Sequence, residues 1–464
     1  MISSSASSRR IRDIVELRMR LRKKGERYGE QDMLAEEYLE TRRPPPFRAM
    51  TEMMIVPPVC PRLRRAEFMQ EGGALSLRDP LGGSIVSLEI HEALVASQLD
   101  GERSAREIAR VVSESLPVEV SEAQVLDLVG RLSSAGFLDD ARGREEERSA
   151  RDALMSNPIR SAAHAGAVYP ADQAACRDFF ESMLQDPSRG SGEPPAPPLA
   201  LISPHIDYAR GRSVYASLWS RAKEAAISAD RVVIIGTSHA GGERPLVLTR
   251  KAFETPLGLL PLDTDLVDGL IAECGEPSVD DELIHRLEHS IELQLPFVQR
   301  ILGQEEVPIV PILCGSIHSA VHQGDRPEGE DTIREAAEIA RTVLGAAPGR
   351  TLWIAGVDLA HVGMHFGDGP EPLSDDDLEK VRDRDRVLLD GVLRGDSERL
   401  TDHLLEDGDA RRICGYAPIW LLLQATGHPK GELVSYGCAV DPRRTQAVSF
   451  AGAMLYEKGS TTSE

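Results

Sequence analysis

The chain has 464 residues, of which 41% are hydrophobic and 4% aromatic, and its formal net charge is −22. This length suits two domains with aliphatic cores; the lack of any run of about 18 apolar residues excludes a membrane span, and the negative charge makes nucleic acid a poor partner. Six scattered cysteines and an N-terminus without an apolar signal segment predict a cytoplasmic protein with reduced thiols.

Residues 1–50 form a charged N-terminal tail. They carry 12 Lys and Arg against 8 Asp and Glu, so this segment is basic whereas the rest of the chain is acidic. Charged residues alternate at helical spacing, and the run Pro44-Pro45-Pro46 would end any helix. The tail is therefore expected to be either a solvated polar helix or disordered.

Residues 51–140 predict a small winged-helix-like α+β domain. Two strands, Ala74–Arg78 and Ser84–Ile90, flank a turn sequence that favours a hairpin. Ser104 and Ser121 are each followed three residues later by Glu or Gln, which is the pattern of a capping box. Helical patterns cover residues 91–98, 104–115 and 121–135.

The runs LDGERSAREIARVV and VLDLVGRLSSAGFL give this domain a resemblance to PqqD-like peptide-recognition domains, which occur beside radical SAM enzymes. DNA-binding winged helices share such patterns. Residues 51–140, however, hold 8 Lys and Arg against 15 Asp and Glu, which disfavours DNA. Docking of a peptide or a radical SAM protein is the preferred interpretation, and a purely structural appendage is the alternative.

Residues 141–156 are charged and are interpreted as a linker, and residues 157–464 alternate strand and helix patterns as an α/β domain does. Three histidines in this domain closely follow apolar runs typical of parallel strands: His205, His239 and His361. Because ligands bind beyond the carboxyl ends of such strands, we expect these side chains to share one site. Each histidine could instead cap a helix or bond a carbonyl.

Cys414 lies just before a predicted helix and close to Arg411 and Arg412, a setting that favours thiolate. Together with the histidines it would complete a nitrogen and sulfur ligand set that suits a transition metal. The alternative for Cys414 is an inert buried thiol.

Further acid or base candidates accompany these residues. Asp358 precedes His361 by three residues and could fix its tautomer, so that His361 is a ligand or a general acid/base. His289 and Glu292, in LEHSIELQLPF, are three apart and would share one helix face, either as a proton relay or as an ion pair at a helix N-terminus. The remaining histidines, which include His318 and His322, are interpreted as surface or structural residues.

These segments together resemble the Memo family, which includes AmmeMemoRadiSam system protein B. The similarity runs through residues 157–457 and is carried by SAAHAGAVYPAD, ALISPHIDYARG, RVVIIGTSHAGG, LEHSIELQLPFVQ, WIAGVDLAHVGMHFG, RRICGYAPIWLLL and YGCAVDPRRTQAVSFAGAML. The resemblance implies the fold of class III extradiol dioxygenases, with a central, largely parallel sheet.

The resemblance also implies roles for individual residues. The family's metal-site positions fall on His205, His239 and Cys414, and His361 matches the acid/base histidine of the dioxygenases. Those enzymes use two histidines and a carboxylate. A cysteine in third place favours Fe(II), Cu(I) or Zn, so dioxygenase activity does not simply carry over. The chain also departs from the family's PHAGY: it has PHIDY, which puts Asp207 two residues after a ligand.

Four functions are consistent with these patterns. The first is a metal-binding protein, with Fe(II) the first choice and Cu or Zn the alternatives, that acts with a radical SAM partner on an unknown substrate. The second is a non-haem iron dioxygenase-like oxidoreductase. The third is a cysteine hydrolase with Cys414 as nucleophile, and the fourth is a protein-interaction scaffold with a vestigial site.

Overall fold

The computed structural model describes residues 59–64, 66–71, 74–79, 84–116, 119–185, 196–225, 228–242, 244–303 and 307–457. The chain divides into two compact units, residues 1–152 and 153–464, and each is described by itself. The charged tail predicted over residues 1–50 lies outside the described residues. Within the described ranges, no helix combines the length and the apolar composition that crossing a membrane requires.

The N-terminal unit places a three-stranded antiparallel sheet ahead of three helices. The strands are β1 (Glu67–Glu71), β2 (Ala74–Arg78) and β3 (Ile85–Leu88), and the helices are α1 (Ile90–Ser97), α2 (Ala105–Ser115) and α3 (Glu122–Ser134). Both serine capping boxes are present. Strand β1 was not predicted, because EFMQE shows no alternating apolar pattern. The winged-helix-like classification stays a prediction.

The segment interpreted as a linker forms a regular helix, α4 (Ala141–Ser156). Its sequence has no apolar stripe, so hydrophobic periodicity gave no sign of a helix. Arginine and glutamate side chains pair instead along its surface, with Arg142 to Glu146 and Arg151 to Glu147 each one turn apart. Such pairs stabilise a helix in which apolar packing contributes little.

The second unit is built on an eight-stranded mixed sheet of order β12-β14-β5-β11-β6-β10-β7, with β13 paired to β14. Its strands are β5 (Ala200–Ser203), β6 (Arg231–Thr237), β7 (Leu246–Val247), β10 (Ile309–Cys314), β11 (Thr351–Gly356), β12 (His361–Val362), β13 (Lys430–Val440) and β14 (Ala447–Tyr456). The strands β5, β11, β6 and β10 run parallel, whereas β14, β13, β12 and β7 add antiparallel pairings.

The expected largely parallel sheet is thus found in the centre, and the sheet as a whole is mixed. The difference comes from the C-terminal hairpin of β13 and β14, which adds to β5 in the antiparallel direction. All ten residues of β14 are buried. A continuous buried run of this kind does not reveal strand direction, because parallel and antiparallel interior strands share it.

Helices cover this sheet on both faces. They are α5 (Gln173–Leu184), α6 (Tyr208–Glu224), α7 (Thr264–Cys274), α8 (Val279–Leu287), α9 (His289–Glu292), α10 (Leu295–Leu302), α11 (Ile317–His322), α12 (Asp331–Gly345), α13 (Asp375–Leu393), α14 (Ser397–Leu405) and α15 (Tyr416–Ala425). Along β6, Val233 and Ile235 pack into one core, and Val232 and Ile234 into the other. A second small sheet joins β4 (Ile159–Arg160), β8 (Ala252–Thr255) and β9 (Gly258–Leu260).

The parallel strands place the residues that follow them at one edge of the sheet. Ile202 of β5 pairs with Ala355 of β11, and Ala355 pairs with Ile235 of β6. The segments after these three strands therefore begin side by side. Gly356 allows a close approach here, because a Cβ atom at this residue would lie 2.2 Å from the Ser290 carbonyl oxygen.

Candidate metal centre

Three potential metal ligands that are far apart in sequence meet at this edge. His205 follows β5, His239 follows β6, and Cys414 lies just before α15. One donor atom from each lies within 4.8 Å of the other two. The Cys414 Sγ is 3.3 Å from the His205 Nε2. The structure therefore brings the two nitrogens and the sulfur close enough to share one ion.

Each histidine ring is held by its Nδ1 atom. The His205 Nδ1 lies 3.0 Å from the Gly356 carbonyl oxygen. Since a carbonyl only accepts, the ring donates there and its Nε2 lone pair faces Cys414. The His239 Nδ1 lies 3.0 Å from a Glu288 carboxylate oxygen, which leaves the Nε2 of His239 as the atom that can bind a metal. A hydrogen bond at the far nitrogen is the usual way to orient a metal-binding histidine.

The protonation of these groups differs. Burial lowers the pKa of His205 well below its usual range, with the neighbouring His239 and His289 acting in the same direction. Burial also lowers the pKa of His239, but the Glu288 carboxylate and Cys414 outweigh it and leave that pKa raised. Burial raises the pKa of the Cys414 thiol. A metal would therefore displace protons from His239 and Cys414, and the affinity of the site for the metal should fall as the pH falls.

Glu288 is a site residue that the sequence interpretation missed. Its buried carboxylate accepts hydrogen bonds from the backbone amides of His239, His289 and Ser290, in addition to the His239 ring. It is the N-cap of α9, so the same side chain starts this helix and fixes His239. The sequence feature that could have pointed to Glu288 is an acidic residue directly before a histidine at the start of a helix.

We expect Glu288→Gln to weaken metal binding about 10–100-fold, since losing the partner of a ligating histidine typically has this effect. The amide lacks the negative charge that favours the His239 Nδ1 proton. Competition with a chelator for Zn²⁺ would measure the change. Glu282→Gln is a matched control, because the Glu282 carboxylate is equally buried but bonds Thr249 and Arg250. Equal affinities for the two variants would contradict the role given to Glu288.

His289 belongs to the site and Glu292 lies apart from it. The His289 ring stacks on His239 at 4.7 Å, and burial lowers its pKa to about 4. The Glu292 carboxylate instead bonds Arg160, the Tyr169 hydroxyl and the His164 amide. The two side chains therefore do not form one acid/base pair, and Glu292 acts by holding the segment that carries His164.

Asp358 supports both ends of the ligand set. One carboxylate oxygen accepts hydrogen bonds from the His205 and Ile206 amides, at 3.0 and 3.1 Å. Its backbone carbonyl accepts the Gly415 amide at 3.0 Å, directly after Cys414. Burial raises the pKa of the Asp358 carboxyl to about 7. Asp358 thus positions two ligand segments, and its carboxylate faces His205 rather than His361.

His361 lies at the start of β12, and among the described residues its Nε2 has no hydrogen-bond partner. Its Nδ1 is 3.0 Å from the Leu359 carbonyl oxygen and 3.2 Å from that of Arg412. Burial lowers the pKa of its imidazole. A neutral ring that donates through Nδ1 can accept a proton at Nε2.

A pocket of ≈ 340 Å³ opens over these residues. Asp207 lines it, but its carboxylate pairs with Arg210 and caps α6. His365, interpreted from sequence as a surface or structural residue, lines the pocket as well. The full lining is His164, Val168, His205, Ile206, Asp207, Arg210, His239, His289, Leu293, Asp358, His361, His365, Phe366, Gln446 and Val448.

Known proteins resemble this chain along most of its length. The family model described as Memo-like protein matches residues 160–454. A MEMO1 family protein of Aquifex aeolicus is 26% identical over 400 residues, which cover 85% of this chain and 100% of the relative. Another, from Desulfurococcus amylolyticus, is 30% identical over 311 residues, which cover 64% of this chain and 99% of that relative. The Aquifex match covers more of this chain than residues 153–464 contain, so it extends into the N-terminal unit.

Proposed function

Because this chain belongs to the Memo-like family, we propose that it is a cytosolic metal-binding protein in which His205, His239 and Cys414 hold a divalent transition metal. The observation that carries the proposal is the convergence of their three donor atoms within 4.8 Å. The donor set fits such an ion, since imidazole and thiolate together suit Fe(II), Cu and Zn. Fe(II) is our first choice, and when bound it would supply a Lewis acid with redox capacity.

The residues around the ligands have distinct tasks in this proposal. Glu288 and the Gly356 carbonyl aim the two imidazoles, and Asp358 holds the His205 segment. His361 holds or accepts a proton at Nε2, on the wall of the pocket in which a substrate would lie. His289 remains neutral near pH 7 and so adds no positive charge beside the ligands.

A non-haem dioxygenase-like oxidoreductase is the second candidate. It is favoured by the ≈ 340 Å³ pocket, which is lined by His361 and by two of the three ligands, His205 and His239. Three protein ligands leave coordination positions for substrate. The thiolate in place of a carboxylate distinguishes this ligand set from that of the extradiol enzymes.

A cysteine hydrolase is less compatible with the local backbone. The Gly415 amide donates to the Asp358 carbonyl, and the Tyr416 amide donates to the Ile413 carbonyl. The two amides after Cys414 are therefore engaged and do not offer an oxyanion hole. Burial also raises the pKa of the Cys414 thiol, which disfavours a free nucleophilic thiolate.

Elemental analysis of anaerobically purified protein tests the proposal. A metal-binding protein should carry a transition metal that depends on these three residues. A hydrolase or a vestigial-site scaffold should carry none at this site. Iron as the main metal would support the assignment of Fe(II), whereas zinc or copper would replace it and leave the site in place.

We further propose that the N-terminal unit docks a radical SAM protein or a peptide, consistent with its acidic charge and with the PqqD-like pattern of its sequence. A radical SAM protein from the same cell should co-purify with the full chain and not with a chain that lacks residues 1–140. A shift of duplex DNA by residues 51–140 at physiological salt would contradict this assignment, because that segment is net acidic.

A further inference from the structure

We propose that His318, His322 and Asp409 form a second metal site, which takes a divalent ion such as Zn²⁺. His318 and His322 lie one turn apart on α11, so that both rings project from one face of the helix. The Asp409 carboxylate reaches them from the segment that follows α14. None of the three lines the pocket that His205 and His239 line.

The donor atoms already lie close together. The His318 Nε2 is 2.8 Å from the Asp409 Oδ2, and the His322 Nε2 is 3.6 Å from the same oxygen. The two imidazoles stack at 4.5 Å with an interplanar angle of 17°. All three donors lie within 4.8 Å of one another, a separation that small rotations of the side chains would close around an ion.

Asp409 is fixed as a ligand would be. Its side chain is fully buried, and its Oδ1 accepts the Ile413 amide at 2.8 Å, which leaves Oδ2 for the histidines. Its backbone has φ of 54°, a conformation that aspartate adopts more readily than most residues. A buried carboxylate needs a positive partner. Here that partner is either a protonated imidazole or a metal.

The exposure of the cluster and the types of its ligands favour a metal. The His322 side chain is 52% exposed, which gives an ion a path to the buried carboxylate. Two imidazoles and one carboxylate, with a position open to water, are a known zinc ligand set.

The second site would hold in place the turn that carries Cys414, a ligand of the first site. Asp409 bonds the amide of Ile413, and the next residue is Cys414. The His318 ring also lies edge-on to Tyr416, at 6.0 Å between ring centroids. Metal at the second site would therefore stabilise residues 409–416 and with them the position of the Cys414 thiol.

Zn²⁺ titration of the metal-free full chain tests this proposal separately from the first site. The wild type should bind two equivalents, His322→Ala one and Cys414→Ser one, and the double variant none. His91→Ala, which changes a histidine of the N-terminal unit, is the control and should keep two. If His322→Ala and the wild type bind the same number of equivalents, the second site is overturned, whatever Cys414→Ser does.

Asp409→Asn guards against a trivial loss of fold. The amide keeps the size of the side chain and can still accept the Ile413 amide, but it removes the charge that would hold the ion. We expect its circular dichroism to match the wild type and its second equivalent of Zn²⁺ to be lost. In the Cys414→Ser background, Zn²⁺ should raise the Tm, and His322→Ala should abolish this rise. Retention of the second equivalent by Asp409→Asn would contradict the assignment.

Discussion

Cys414→Ala is expected to remove the metal from the site formed by His205, His239 and Cys414. Sγ is one of the three donors, and the two histidines alone would leave the ion with too few protein ligands for stable binding. His205→Ala should have the same effect, since its Nε2 faces the sulfur at 3.3 Å. Metal content of anaerobically purified protein measures both losses. The metal contents should be compared in proteins that also carry His322→Ala, because the second site then contributes no ion.

His361→Ala is the matched control for this loss. Its Nδ1 bonds two carbonyls and it lies on the pocket wall, so we expect the variant to keep most of its metal while losing a proton acceptor. Equal loss in His361→Ala and Cys414→Ala would make His361 a fourth ligand. The site would then be closed, as in structural zinc sites, and open positions for a substrate would be gone.

Glu292→Ala is expected to lower the free energy of unfolding of the second unit by about 3–5 kcal/mol. The variant leaves the Arg160 guanidinium without its carboxylate, and both side chains are at most 1% exposed. The remaining hydrogen-bond partners of Arg160 are the carbonyl oxygens of His285 and Glu288, and its guanidinium also lies over the Phe253 ring. Breaking one side of a buried pair costs far more than the pair itself contributes, because a charge remains buried.

Urea denaturation followed by tryptophan fluorescence measures this effect selectively. All three tryptophans, Trp219, Trp353 and Trp420, belong to the second unit. Glu338→Ala is the control: it removes an exposed partner of Arg341 and should leave the free energy of unfolding nearly unchanged. Equal costs for the two variants would show that Glu292 is not needed to hold Arg160 and the adjoining segment.

The ligand triad illustrates what a sequence can reveal of such a site. Parallel strands end at one edge, so apolar runs followed by His205 and His239 were enough to predict that the two rings lie close together. Cys414 was harder, because it precedes a helix rather than following a strand. It was placed with the histidines from its position just before a predicted helix, and the resemblance of RRICGYAPIW to the family pattern implied the same role.

The partners of the ligands were not predictable in the same way. Glu288 and Glu292 occur four residues apart in one short segment, yet one reaches His239 and the other Arg160. The break between α8 and α9 sets this difference, and helical spacing alone does not reveal it. The direction of β14 was hidden for a related reason, because a fully buried strand has no polar face to indicate its neighbours.

The most direct test of the proposed centre is an anomalous difference map from crystals of anaerobically purified protein, recorded at the absorption edge of the bound metal. We expect a peak at about 2.0–2.1 Å from the Nε2 atoms of His205 and His239 and about 2.3 Å from the Cys414 Sγ. A map with no peak among these three atoms, in crystals of protein that contains the metal, would contradict the proposed centre.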